Sequence, residues 1–296
     1  MSRRTTVCIV GGGPAGLMLG LLLARAGIEV TVLEKHDDFF RDFRGDTVHP
    51  STLNLIDDLG LRDRFEAIAH TPLPRLDVVV NGIRIHAIDF SSLPAPNRLV
   101  TLMPQWDLLE LLADDASTLP SFHLMMGAEA EGVVTRAGRI RGVTLASGEQ
   151  IDADLVVACD GRASTVRQAA GLVPTASGVA TDVAWFRMPR PAQPMPDTLG
   201  WISAEGLVVT IPRPEYLQCA LLIPKGSFEQ VRAGGIESFR ARIARAVPRL
   251  ASVTDDLAAI DDVKLLSVQI DRLETWWQPG LLCIGDAAHA MSPVFG

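Results

Sequence analysis

Lysine is nearly absent. Lys35, Lys225 and Lys264 are all there is, and the 27 basic residues are otherwise arginine, which points to a GC-rich coding bias rather than a function. Against 35 acidic residues this leaves a net charge of −8. That sign repels phosphate backbones, so nucleic acid is not an expected partner. The four cysteines, Cys8, Cys159, Cys219 and Cys283, form no C-x-x-C pair, and no histidine stands at metal-ligand spacing from one. Three sit in or at the end of short apolar runs, where cysteine acts as a small hydrophobe of a buried strand. No structural zinc and no disulfide framework are expected, which fits a reducing cytoplasm. The chain also lacks a G-x-S-x-G, a P-loop, an internal repeat and a low-complexity tract.

A long unbroken apolar run is missing too. Val7 to Ala24 is uncharged and follows Arg3 and Arg4, which imitates an export signal or a membrane helix. Glycines clustered at Gly11–Gly16, with Pro14 among them, interrupt it at the point where either would need continuous helix. What is abundant is core material. Of 296 residues, 48% are hydrophobic, enough for one large or two modest domains.

The interrupted run reads as strand, turn and helix. Thr5–Val10 is apolar and β-branched, as a buried parallel strand should be. Gly11-Gly12-Gly13-Pro14-Ala15-Gly16 matches G-x-G-x-x-G, Leu17–Ala26 follows as a helix, and Glu29–Leu33 is a second strand ending in Glu34. Gly11 permits the tight turn, Gly13 lets a pyrophosphate approach the backbone, and Gly16 lets helix and strand pack closely. Pro14 costs nothing in a first turn, and that helix end offers N–H groups and partial positive charge to phosphates. Glu34 stands where a carboxylate accepts the adenosine ribose hydroxyls, which favours FAD or NAD over NADP. The motif alone does not separate FAD from NAD, and a bare structural turn is the alternative.

Two distant motifs add to it. Leu155–Cys159 leads into Asp160-Gly161-Arg162-Ala163-Ser164-Thr165-Val166-Arg167, and Gly280–Ile284 leads into Gly285-Asp286-Ala287-Ala288-His289, then Ser292-Pro293. Taken with Gly11–Gly16 and Glu34, in this order, they make the chain resemble the flavoprotein aromatic hydroxylases, FAD-dependent monooxygenases similar to p-hydroxybenzoate hydroxylase. The resemblance spans essentially the whole chain. It implies an α/β fold, a Rossmann-like FAD-binding domain with an inserted antiparallel-sheet substrate domain. It implies that Gly11, Gly13, Pro14, Ala15, Gly16, Glu34 and Lys35 hold the dinucleotide end. Arg44 and Gln105 would reach FAD, and the Asp160-Gly161 stretch would contact the flavin nucleotide and help receive the pyridine nucleotide. Asp286, preceded by Gly285, would bind a ribitol hydroxyl, with Pro293 following in the flavin loop. A solvated role remains open for Arg44 and for Gln105. His49 faces either the flavin or its own loop, and His289 reads as structural. No catalytic base is named.

Organisation follows from the same reading. Residues 1–75, 98–178 and 270–296 are expected to form the FAD-binding domain, and 76–97 with 179–269 a β-rich substrate domain. Leu76–Val80 and Ile83–Ile88 flank Asn81-Gly82, a type I′ hairpin signal. Gln105–Ala116 is an amphipathic helix. Glu131–Thr135, Ile140–Ala146 and Gln150–Ala153 form a short meander. Val183–Met188, Leu199–Ser203, Leu207–Ile211 and Tyr216–Ile223 are strands of an antiparallel sheet, and Trp185, Trp201 and Tyr216 are core or lining residues. Ile236–Val247 is a helix.

The activity implied is hydroxylation of an aromatic or electron-rich small molecule with bound FAD, transient NAD(P)H and O2, through a flavin C4a-hydroperoxide. The cofactor carries that chemistry, so no protein nucleophile is required. A homodimer is left open. The alternatives are an FAD-dependent oxidase or reductase without oxygen insertion, and an inactive nucleotide-binding fragment. The family's pattern continues past the Pro-containing loop into a glycine turn and a helix facing the flavin. The sequence stops at Gly296, so a further expectation is that residues 1–296 alone bind FAD weakly or need another chain to complete the site.

Overall fold

The computed structural model describes residues 3–40, 47–195, 200–213 and 215–292. Its organising element is strand β1 (Arg3–Val10), whose last four residues are all buried. Helix α1 (Pro14–Arg25) leaves it through the glycine turn and returns the chain to strand β2 (Val30–Leu33), buried along its whole length. Helix α2 (Gln105–Ser117) packs beside α1, burying Leu108, Leu109, Leu111 and Leu112. Strand β3 (Gln150–Ala158), the short helix α3 (Thr165–Ala169) and strand β4 (Leu281–Cys283) complete the nucleotide-binding side. The parallel order is β4-β3-β1-β2, and Phe122–Met125 continues it beyond β2.

β3 is longer than the sequence pattern suggests. The expected meander strand and the apolar Leu155–Cys159 run are one element. Asp152 and Asp154 break the apolar pattern without breaking the strand. Both reach the sheet surface, where Asp152 accepts from Arg136 at 3.0 Å and Asp154 pairs with Arg4 at 3.3 Å. One edge of β3 runs parallel to β1 from Arg3↔Ile151 to Val10↔Ala158. The other edge is shared. Its start pairs antiparallel with Arg139–Leu145, and its end pairs parallel with β4 through Ala158↔Cys283.

A second sheet of seven strands comes largely from residues 181–266. Its order is Lys264–Leu266, Thr181–Pro189, Tyr216–Pro224, Gly206–Pro212, Gly200–Ser203, Arg75–Val80 and Ile83–Asp89. The last two enclose Asn81 and Gly82, both at positive φ (48° and 85°), which is the type I′ turn expected from Asn-Gly. Period-2 alternation sends two sets of side chains to opposite faces. Ala184, Phe186, Val208, Cys219, Leu221 and Val79 pack with Phe239 and Ile243 of the Gly235–Ala246 helix. On the other face the register aligns Trp185, Ala220, Val209, Gly200, Val78 and Ile85 in one row across six strands. This apolar wall packs with Val179, Leu266 and Val268, and its far end at Ile85 and Ile83 is exposed.

Of the three candidate lining aromatics, Trp201 belongs to the helix-covered core and donates its indole N–H to Thr210. Trp185 stands on the wall, and Tyr216 lies under the Arg187 guanidinium.

Candidate functional site

Register brings the three motifs to one edge. Val10 pairs with both Leu33 and Ala158, and Ala158 pairs with Cys283. The next residues of all four strands, Gly11, Glu34, Cys159 and Ile284, therefore leave the sheet side by side at its carboxyl end. In open α/β sheets that edge is where ligands bind. Backbone bonds tie the exits together: Gly11 N–H donates to Leu33 O at 2.7 Å, Cys159 N–H to Val10 O at 2.7 Å and Ile284 N–H to Ala158 O at 3.0 Å.

The glycines differ in what surrounds them. Gly11 sits at φ +108°, and a Cβ there would lie 2.3 Å from Cys159 O, so the first motif rests directly on the second. A Cβ on Gly16 would meet Gly11 O at 1.9 Å. A Cβ on Gly12 would meet Glu34 Cβ at 2.9 Å. Gly13 is the exception. Among the described residues, apart from its own chain neighbours, nothing lies within 4 Å of its Cβ position, so the space beside it is open to a ligand. It precedes α1 with extended backbone (φ −77°, ψ −175°) and carries no side chain to cap the helix, whose first-turn N–H groups point outward. Pro14 opens α1. Ala15, the next residue, is touched by the third motif, since a Cβ on Gly285 would lie 3.0 Å from its methyl.

Around this turn stand the acids. Glu34 is 9% exposed, and its carboxylate accepts from Gly12 N–H and His36 N–H, both at 3.0 Å. It is thus bound to the glycine loop and aimed along it. Lys35 is exposed beside it. Asp160 is turned inward. Its carboxylate accepts from the Ser164 hydroxyl and, at 3.1 Å, from Val166 N–H, while Ser164 caps Arg167 N–H at 3.0 Å. The structure places Asp160 at the start of α3, a local capping arrangement that Asp-x-x-x-Ser spacing already encodes. Asp286 is half exposed and pairs with Arg162 at 3.1 Å.

Gln105 is the first residue of α2, and Leu108, one turn on, shares an apolar groove of about 360 Å³ with Pro14 and Ala15. Trp106 packs on Phe40 with ring centroids 5.0 Å apart. Burial raises the Asp107 carboxyl above its ordinary range and Arg213 opposes that shift, so this helix start lies near the end of a second-sheet strand. His49 occupies the N-cap position of the Pro50–Asp58 helix without a side-chain capping bond. His289 stacks on Trp276 at 5.1 Å. Arg44 and Pro293 lie outside the described residues. Four thiols play no acid–base part near neutral pH. Burial pushes Cys8 up to about 12 and Cys283 to about 11, with Asp160 adding to the latter and Arg167 opposing it. Cys159 and Cys219 are raised by burial as well.

Two residues were not legible as partners in sequence. Arg167 is 3% exposed and donates to Ala287 O at 3.0 Å and Arg162 O at 2.6 Å, and Arg162 meets Asp286. The bonds from Arg167 to Ala287 and from Arg162 to Asp286 join positions 120 and 124 apart, and nothing local in the sequence signals them.

A parallel sheet with a glycine turn, an acid at the end of the second strand and a second acid within the third motif defines a flavin-dinucleotide oxidoreductase. Residues 4–296 match the family described as FAD binding domain, and the chain belongs to that family of FAD-dependent monooxygenases. It is 33% identical over 303 residues to a 6-methylpretetramide 4-monooxygenase of Streptomyces rimosus, covering 98% of this chain and 70% of that one. It is 35% identical over 174 residues to a rifampicin monooxygenase of Streptomyces venezuelae, covering 56% of this chain and 34% of the relative. In fold it is similar to PqsL, a probable FAD-dependent monooxygenase from Pseudomonas aeruginosa, with TM-score 0.82 and 22% identity over 99% of this chain and 81% of that one.

FAD fits these residues. The open side of Gly13, the α1 start and the Glu34 and Asp286 carboxylates lie at one sheet edge, and among the described residues nothing occupies the space beside Gly13. Among the described residues no helix is long and apolar enough to cross a membrane, and no group of metal-ligating side chains is present.

Proposed function

We propose that the chain binds FAD across all three motifs and hydroxylates an aromatic small molecule at the expense of NAD(P)H and O2. The observation that carries this is the convergence of Gly11, Glu34, Cys159–Asp160 and Gly285–Asp286 at one sheet edge. In this reading Gly13 admits the pyrophosphate, the α1 start neutralises it, Glu34 accepts from the adenosine ribose and Asp286 from the ribitol. The family resemblance adds Arg44, Gln105 and Pro293 to the proposed FAD contacts. Bound there, FAD would supply the redox chemistry, as acceptor of hydride from NAD(P)H and as the group that activates O2. The protein holds it, keeps water out and presents the substrate. The named relatives support an aromatic substrate, one acting on 6-methylpretetramide and another on rifampicin. The seven-stranded sheet, built from the 76–97 and 179–269 regions, supplies the apolar wall on which such a substrate lies. The other three segments form the FAD-binding unit. Four free cysteines suit a reducing cytoplasm.

Heat release of the bound small molecule should yield flavin in near-equal amount to protein. Substrate-dependent NAD(P)H consumption with one 18O atom from 18O2 in the product is the expected turnover result. Hydrogen peroxide without 18O incorporation would mean an oxidase. Glu34→Arg is expected to weaken FAD binding roughly 10–150-fold, since a charge-assisted hydrogen bond is worth about 1.5–3 kcal/mol. Glu34→Gln should cost less, because its amide oxygen still accepts. Flavin-fluorescence titration of the apoprotein reads both, and unchanged affinity in the Arg variant removes Glu34 from the ribose.

A further inference from the structure

The flavin cradle described above carries an electrostatic conflict. Gly285 rests on Ala15, so Asp286 stands one residue from the helix end that would hold two phosphates. A carboxylate placed to accept from ribitol therefore also repels the diphosphate of the same ligand. The structure holds a cation at this position. Arg162 donates its Nε–H to Asp286 Oδ2 at 3.1 Å, across 124 residues of sequence, with Arg162 30% and Asp286 47% exposed.

Arg162 is itself anchored. Its backbone carbonyl accepts from Arg167 Nη2 at 2.6 Å, and Arg167 Nη1 donates to Ala287 O at 3.0 Å. Arg167 is 3% exposed, forms no ion pair, and its Nε has no acceptor among the described residues. A buried guanidinium spent on two backbone carbonyls, one on each turn, is a brace between the Asp160 turn and the Asp286 turn. It fixes how far apart Arg162 and Asp286 stand.

We propose that Arg162 is a positioning residue for FAD: it holds the Asp286 carboxylate toward the ribitol chain and offsets the repulsion between that carboxylate and the diphosphate. Arg167, beneath it, sets the spacing of the two turns. The proposal rests on the assignment of Asp286 to the ribitol. Free flavin adenine dinucleotide is the probe, and the readout is its affinity for apoprotein, independent of turnover.

Arg162→Met is expected to weaken FAD binding about tenfold at low salt, and less in 0.5 M NaCl, where the repulsion it relieves is screened. Arg162→Lys, which keeps the charge, should stay within about threefold of wild type. In an Asp286→Asn background the repulsion is gone, so adding Arg162→Met should change affinity less than about twofold. Arg167→Met should instead lower the urea midpoint of the apoprotein, which Arg162→Met leaves unchanged. Wild-type affinity in Arg162→Met overturns the proposal. So does a full tenfold loss that persists beside Asp286→Asn, because Arg162 would then touch the ligand itself. If Asp286→Asn binds FAD like wild type, the assignment of Asp286 fails and this proposal falls with it. If Asp286→Asn is weak while Arg162→Met is unaffected, only the positioning role is lost.

Discussion

Gly16→Ala is expected to cost more than about 3 kcal/mol of stability, while Gly13→Ala leaves the apoprotein as stable as wild type and removes its flavin. The two glycines are three residues apart in one loop, and the contrast comes from what each would touch. A methyl on Gly16 falls 1.9 Å from Gly11 O, a backbone atom held by the hydrogen bond between Gly11 N–H and Leu33 O. Neither α1 nor β1 can retreat without opening the sheet core around Leu17 and Ile9, so the clash becomes strain or a shifted helix. A methyl on Gly13 meets no protein atom and the backbone there is at ordinary negative φ. In the proposed reading it takes up the space through which a pyrophosphate would reach the α1 N–H groups. A loss of about 100-fold in FAD affinity, or roughly 2.7 kcal/mol, is the expected size. Thermal melts of both apoproteins, set beside flavin titration, check the pair. A Gly13→Ala protein that binds FAD normally would place the pyrophosphate elsewhere.

Asp182→Ala should destabilise the second sheet by about 3 kcal/mol. Asp182 is 2% exposed, and its carboxylate accepts from Lys225 Nζ at 2.7 Å, Gly226 N–H at 2.9 Å and Val268 N–H at 3.0 Å. Lys225 also donates to Ser267 Oγ and Val268 O. Removing the acid leaves the Gly226 and Val268 N–H donors without their acceptor and takes one of three partners from the Lys225 ammonium, which is more than a surface ion pair is worth. Burial alone would raise the Asp182 carboxyl, but bonds from Gly226, Lys225 and Val268 outweigh it and hold the group below the usual carboxylate range. A group depressed on folding contributes stability that is complete above its unfolded value and lost as pH falls through the folded one. Denaturant midpoints of wild type should therefore drop on acidification, and those of Asp182→Ala should drop less. Parallel pH profiles for the two proteins would remove Asp182 from the acid transition.

Much of this architecture was legible because its signals are local. Asn81-Gly82 specifies its own turn, and the glycine loop between two β-branched runs specifies strand, helix and strand. Leu108, Leu109, Leu111 and Leu112 give the buried stripe of α2 directly. Signals failed where tertiary context outweighs local pattern. Asp152 and Asp154 looked like a strand boundary, yet surface arginines accommodate them and β3 continues. Arg162 and Arg167 gave no sign of their partners, since pairing over 120 residues depends on which strands the sheet sets side by side.

The alternation of the second sheet also bears on how such a chain diverges. Residues on its helix-covered face, such as Phe186, Cys219, Leu221 and Val208, are interleaved one for one with Trp185, Ala220 and Val209 on the wall. Neighbours in sequence thus answer to different selective pressures. Substitutions confined to every second position can reshape the wall for a new ring system while the helix packing stays intact. The strands that carry the glycine turn and its acids belong to the other sheet. A two-residue period is therefore the boundary between the side chains that pack the helix and those that form the wall proposed above as the substrate face.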